Sequence, residues 1–245
     1  MPGDARGDTM AVEVSHVTLQ LVRFDDAREV QAERSSIGNP LWSALAHDER
    51  MKASPALAGS EAWASIGLFG DHRSARESFD AGIRSAHWAE DASEVWSGLL
   101  QPFNHRGAVD WLNPQHPGQI YDTSDAAAPT GAFVVLTTVG WHWAPDLDMN
   151  RVEDFAAGVD EVLASMTGID GLHSRQAFGA PDADPFTCSF WRDDAAMRAF
   201  AYRPGVHKAQ MDRYRRLHTA DRTSFTRFRV LDSSGTWCGT DPLAW

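Results

Sequence analysis

The side chains able to support redox, acid–base or metal chemistry are ten histidines and two cysteines, set among ten tryptophans in 245 residues. No two histidines stand two, three or four positions apart, so no single helix turn or strand offers two imidazoles to one ion. Cys188 and Cys238 build neither a disulfide framework nor a zinc-type spacing. The chain has no Gly-x-Ser-x-Gly elbow, no Gly-rich loop ending in Lys-Ser/Thr and no Gly-x-Gly-x-x-Gly. Gly235-Thr-Trp-Cys-Gly, the best phosphate candidate, has no helix behind it to supply a positive N-terminus.

His207 is the histidine with the most informative surroundings. It follows the break Pro204-Gly205 and opens the segment Val206–His218. At 100° per residue it shares a face with Met211, Tyr214 and His218, while Lys208, Asp212, Arg215 and Arg216 fall opposite. A neutral imidazole on an inward face needs a partner, and either a protein acceptor or a metal ion would serve. His142, between Trp141 and Trp143, reads as a rim residue. His173 opens a strand and could point either way, and His105 reads as a solvated turn residue.

The elements that must position these groups follow from periodicity. Strands are expected at Val12–Phe24, Ala62–Phe69, Glu94–Phe103, Ala132–Trp141, Leu172–Phe178, Phe186–Trp191 and Ser224–Leu231. Helices are expected at Pro40–Met51, Arg73–Trp88, Asn150–Met166, Asp194–Tyr202 and Val206–His218. In Asn150–Met166 the residues Val152, Phe155, Val159, Val162, Leu163 and Met166 form one stripe, with Asp148 before it and Gly168 after it as start and stop signals. Two stretches recur at an offset of 121: the β-rich run from Val12 with that from Phe133, and Phe69…Phe79 with Phe190…Phe200. The expected fold is therefore α+β, with two tandem ferredoxin-like (βαββαβ) units pairing sheet to sheet as an α+β barrel. The units span 11–112 and 131–240, and 113–130 is a linker rich in Pro and Ala.

Composition narrows the function. A formal charge of −12, with no Lys/Arg block, opposes binding to a phosphate backbone. The longest apolar run, Ala132–Val139, is far short of the roughly 20 residues that cross a bilayer. The start Met1-Pro-Gly-Asp-Ala-Arg-Gly-Asp lacks the basic and apolar regions of a signal peptide, so a cytoplasmic protein is expected. The tryptophan content suits a large apolar pocket or interface as well as a heavy core.

The stretch Phe186-Thr-Cys-Ser-Phe-Trp-Arg-Asp-Asp-Ala-Ala-Met-Arg-Ala-Phe-Ala-Tyr-Arg-Pro-Gly-Val-His207 resembles the spheroidene monooxygenase family of carotenoid ketolases. The ending Phe225-Thr-Arg-Phe-Arg-Val-Leu with Gly235-Thr-Trp is similar too, as are Gly131-Ala-Phe-Val-Val-Leu-Thr-Thr and Thr167-Gly-Ile-Asp-Gly-Leu-His-Ser-Arg. The likeness is good over 131–240, and over 11–111 mainly the layout agrees. It implies a heme b protein that uses dioxygen or peroxide, with a possible electron donor, to oxygenate an apolar carotenoid-like or polycyclic substrate. It also implies His207 as proximal iron ligand, with Met211, Tyr214, Arg203, Phe178 and Phe228 as heme contacts. Arg213, Arg216 and Arg222 are further propionate candidates. Trp191 and Ser189 are the implied catalytic residues, among a distal set of Phe133, Val135, Phe178, Ser189, Trp191 and Phe228 in which strand alternation leaves either parity open. A heme lyase of the aldoxime dehydratase kind, a non-catalytic heme or small-ligand binding protein and a cofactor-free monooxygenase are the alternative readings.

Overall fold

The computed structural model describes residues 13–28, 30, 39–48, 60–85, 89–124, 127–142, 147–180 and 183–245. The first half holds β1 (His16–Arg28), β2 (Trp42–His47), β3 (Ser60–Phe69), α1 (His72–Ser85) and β4 (Glu94–Gly107). The second holds β5 (Phe133–Gly140), α2 (Met149–Ser165), β6 (Leu172–Ala180), β7 (Ala183–Trp191), α3 (Asp194–Tyr202), α4 (Val206–Leu217) and β8 (Arg222–Gly235). Eight strands close into one barrel in the order β1-β3-β2-β6-β7-β5-β8-β4. Within it the halves repeat one another: β4-β1-β3-β2 and β8-β5-β7-β6 are the same ferredoxin-like order. They meet edge to edge, along the whole β4·β8 ladder on one side and at His47↔Gly179 on the other. Closure on the β2·β6 side rests on that one pair, and the rest of both strands there is not laddered.

Two expectations are corrected. Pro40–Met51, read as a helix, contains the strand β2, and residues 49–51 lie outside the described part. Leu41, Trp42, Leu45 and Ala46 fit a helical face, but so short a run also fits alternation. The barrel decides the matter, because Ala44 and Ala46 point into its core. The offset of 121 is also not uniform. Phe69 faces α1 whereas Phe190 fills the barrel, so by position in the sheet Phe69 matches Trp191, 122 residues on, and their strand partners His16 and Phe133 stand 117 apart. The helix expected to end at Trp88 is described to Ser85.

Alternation sorts each strand between two environments. Val17, Leu19, Leu21, Ile66, Leu68, Trp96, Leu136, Phe186, Phe190 and Phe228 fill the barrel. Phe133, Val135 and Trp191 point outward and pack with Met166, Met197 and Ala201 of the helical layer. The segment between the halves is structural: Val109 and Trp111, followed by Ile120 and Tyr121 of the expected linker, enter the barrel core. Val109 and Gly118 exchange backbone hydrogen bonds of 3.0 Å, and Val14 N–H donates to Ile120 C=O at 2.7 Å. The Trp111 indole stacks on Trp42 with ring centroids 4.8 Å apart and meets the edge of Phe186.

Because Trp111 is 3% exposed and plugs the barrel, Trp111→Ala should cost about 3–5 kcal/mol. A urea unfolding curve of the variant beside the parent measures it, and a loss under about 1 kcal/mol would show that the plug is not part of the core.

Candidate active site between the second-half helices and the sheet

The two halves carry their helices differently. α1 lies close over β1, β3 and β4, whereas α2 and α4 pack chiefly on each other. Gln210 Nε2 donates to Glu161 at 2.6 Å, and Arg213 pairs with Asp154. Gly158 on α2 leaves the space that Gln210 occupies. The local starts are well specified. Asp148 caps α2 by accepting from Asn150 N–H, and Asp193 caps α3 by accepting from Ala196 N–H at 2.8 Å. α4 begins after Gly205 without a side-chain cap and ends at His218 in the left-handed region.

Under this helical pair the sheet is incompletely covered. Phe225, Thr137, Thr187 and Ala177 lie side by side across β8, β5, β7 and β6 on the outward face, and all four are only half-buried. The neighbouring row of Arg227, Val135 and Ser189 is buried. Opposite, Phe155, Val159, Val162 and Leu163 of α2 and His207, Met211 and Tyr214 of α4 are likewise half-buried. Apolar stripes normally close on a sheet. Val162 and Leu163 pack on the Phe133, Val135 and Trp191 cluster and Phe155 and Tyr214 on the Val139 and Trp141 cluster, while Thr137, Thr187, Ala177, Val159, Met211 and His207 stay half-buried and outline a candidate cleft.

His207 stands at this cleft. Its Nδ1 lies 3.0 Å from the carbonyl oxygen of Ala201, an acceptor only, so Nδ1 carries the proton and Nε2 the lone pair. Nε2 makes no hydrogen bond to a described residue and is open to solvent. Burial holds the imidazole below its ordinary pKa, against the opposing effect of the Ala201 carbonyl, so the ring is neutral near pH 7. A metal-binding histidine has this form: one nitrogen fixed on a carbonyl, the other free. The His207 ring is 5.1 Å from that of Phe200, which is 5.6 Å from that of Trp191. Trp191 Nε1 donates to Ser189 Oγ at 2.9 Å. His207, Phe200, Trp191 and Ser189 thus form one continuous line of contacts.

The other sequence candidates divide. Met211 is on the cleft side, one turn beyond His207, and Tyr214 packs edge-on against Phe155. Arg203 is exposed in the turn between α3 and α4, and Arg216 is exposed on α4. Phe178 and Phe228 are not part of this grouping. Both lie inside the barrel, on the opposite face of the sheet, because their parity differs from that of Ser189 and Trp191. Arg222 is separated for the same reason and is held inside by Asp184 and Asp110. His105, read as solvated, is half-buried with Nδ1 2.8 Å from Thr226 Oγ1. His142 is exposed, and His173 Nε2 lies 2.7 Å from Thr240 Oγ1. The described residues contain no cluster of three or more His, Cys, Asp or Glu able to hold a metal, so a metal here would enter with its own ligand set.

Sequence reading missed Thr137, Thr187 and Phe225, the floor of the cleft, and Arg227. Arg227 shares the outward face with Ser189, donates from Nη1 to Asp194 at 2.6 Å and keeps a buried Nε without a partner. Its odd-numbered position on β8 was the available signal, but only the ladder register assigns that parity to the helix side.

Comparison with known proteins gives related sequences and a shared fold. The chain is similar to spheroidene monooxygenase. It is 27% identical to the Rhodobacter capsulatus protein over 183 residues, 74% of this chain and 72% of that one. It is 25% identical to the Cereibacter sphaeroides protein over 189 residues, spanning 53% of its length. A crystal structure of an aldoxime dehydratase with butyraldoxime superposes with a TM-score of 0.60 at 11% identity, over 94% of this chain and 84% of that one. At that identity the likeness is one of fold. No protein-family model matches the chain. No described helix is long and apolar enough to cross a membrane.

The geometry at His207 sets an expected titration. Its midpoint, followed by long-range 1H–15N NMR, should fall below 6.5, with the neutral form protonated at Nδ1. A pKa depressed in the folded state means that His207 destabilises the fold as pH drops below the unfolded value. A midpoint above 6.5, or a neutral ring protonated at Nε2, would overturn the assignment.

Proposed function

We propose that this protein is a heme-dependent monooxygenase acting on an apolar, polyene-like or polycyclic substrate, with His207 as the residue that would hold the iron of heme b. The observation that carries the reading is a neutral imidazole beside a half-filled apolar cleft, with Nδ1 anchored to Ala201 and Nε2 unpartnered. The similarity to spheroidene monooxygenase supports the reaction class.

The residues present fit such a group. His207 Nε2 is a donor of the right chemistry, and the Ala201 carbonyl raises its basicity and fixes the ring. Met211, Phe155 and Val159 offer apolar walls from the helices, and Phe225, Thr137 and Thr187 line the sheet side. Arg227 places a cation at the buried end of that face, where its Nε has a hydrogen bond still to give. Exposed Arg203 is a cation for a propionate at the outer edge. When bound, heme supplies activation of dioxygen or peroxide for oxygen insertion into a carbon–hydrogen bond. The protein's own part is to hold the ring by one imidazole, exclude bulk water and offer the substrate an apolar wall. The Ser189 hydroxyl, fixed by the Trp191 indole, lies one row from the cleft floor and is suited to hold a proton or a water there.

Protein produced with heme supply should show a Soret band. His207→Ala should lose most of it, and added imidazole should restore part by filling the vacated space. His218→Ala and His142→Ala should leave the band unchanged, since His218 caps the far end of α4 and His142 is exposed. Normal heme uptake by His207→Ala would overturn the ligand assignment. A parent protein that takes up no heme would overturn the cofactor, and turnover without consumption of oxidant would point to lyase chemistry instead.

A further inference from the structure

The mouth of the barrel where β5 ends and β7 and β8 begin holds a buried charge cluster remote in character from the heme cleft. Arg222 Nε and Nη2 donate to the two oxygens of Asp184 at 2.8 and 2.7 Å. Nη2 also donates to Asp110, and Nη1 donates to the carbonyl of Trp141 at 3.1 Å. The side chains of Arg222 and Asp184 are 7% and 2% exposed. Asp184 sits against Gly140 so closely that a Cβ there would meet its carboxylate at 2.1 Å. One guanidinium therefore faces two carboxylates with little water. With both ionised the cluster carries an uncompensated negative charge, a costly state in a buried site. Asp110 Oδ1 is buried and receives no hydrogen bond from any described residue.

Asp110 belongs to the segment that plugs the barrel. Its neighbours Val109 and Trp111 are core residues, and Ala108 N–H donates to Thr223 C=O at 3.1 Å. The only ionic hold on this segment among the described residues is Asp110 on Arg222. We propose that Asp110 and Asp184 share one proton beneath Arg222, and that this proton latches residues 108–121 across the barrel mouth. When the pair loses it, the carboxylates repel and the plug loosens.

The surroundings favour this pair as the titrating unit. Burial, with the neighbouring Asp110 charge, pushes Asp184 up to about 7 against the opposing pull of Arg222. Deeper in the barrel His105 is held neutral by burial, and buried Tyr121 is held in its protonated form. On the outer side Asp221 is paired with Arg151 and accepts from His142 N–H. In the open state Asp184 would regain an ordinary carboxylate pKa near 4. The closed state then binds one more proton between about pH 4 and 7, so opening becomes easier as pH rises through that window and levels off above it.

Hydrogen exchange of the 108–122 peptide, corrected for intrinsic rate, tests this from pH 5 to 8. In the parent the opening constant should rise up to about tenfold per pH unit toward pH 7. Asp184→Asn and Asp110→Asn should each flatten that rise, and Asp232→Asn, which removes a surface partner of Arg76, should keep it. At pH 6 the infrared spectrum should contain a protonated-carboxyl band that both variants lack. Should Asp184→Asn fail to fold, Asp110→Asn carries the comparison alone. A pH-independent plug in the parent, an unchanged slope in Asp110→Asn, or absence of the carboxyl band would overturn the proposal.

Discussion

Closure of eight strands into one barrel is the constraint on which the rest of this structure depends. A closed sheet has an inside and an outside, and side chains alternate strictly between them. Once the β5·β7 and β5·β8 registers are set, Phe190 and Phe228 must lie in the barrel and Ser189, Trp191 and Arg227 must face the helices. A slip of one residue would exchange the two populations. The separation of an aromatic core from a cleft lined by threonines, arginine and histidine is thus a single decision made by the hydrogen-bond ladder.

The helices use that outer face unequally. In the first half α1 sits tightly on its strands, and Phe69, Ala75, Phe79 and Leu99 form a closed cluster. In the second half α2 and α4 hold each other through Gln210–Glu161 and Arg213–Asp154, and their apolar stripes stay half-buried. Apolar surface left wet forgoes roughly 25 cal/mol per Å². The half-buried stretch lies beside His207, whose Nδ1 is held by the Ala201 carbonyl. The repeated layout thus carries a helix packed closely on its strands in one half and two helices packed chiefly on each other in the other.

Charge follows the same division. Arg222 and Arg227 are five residues apart on β8, yet one is enclosed by two aspartates in the barrel and the other reaches Asp194 at the start of α3. Each is buried, and each keeps its charge because a carboxylate accompanies it. Arg227 still has a donor to give; were Asp110 and Asp184 both ionised, they would hold one negative charge more than Arg222 can neutralise.

The α+β class, most of the elements and the half-buried placing of His207 on its helix were legible in the amino-acid sequence, because alternation, helical stripes and the Pro204-Gly205 break are local signals. So was the exposure of His142, flanked by tryptophans past a strand end. The short segment 42–47 was not, since six residues of mixed spacing satisfy helix and strand alike until a barrel needs a strand there. Nor was the side of the sheet to which Phe178, Phe228, Arg222 and Arg227 belong. Parity along a strand is local, but which parity is inside depends on partners far along the chain, such as Asp110 for Arg222, 112 positions away. His207 itself was marked as a residue in need of a partner. Only the tertiary structure supplied the Ala201 carbonyl that binds one nitrogen and leaves the other free.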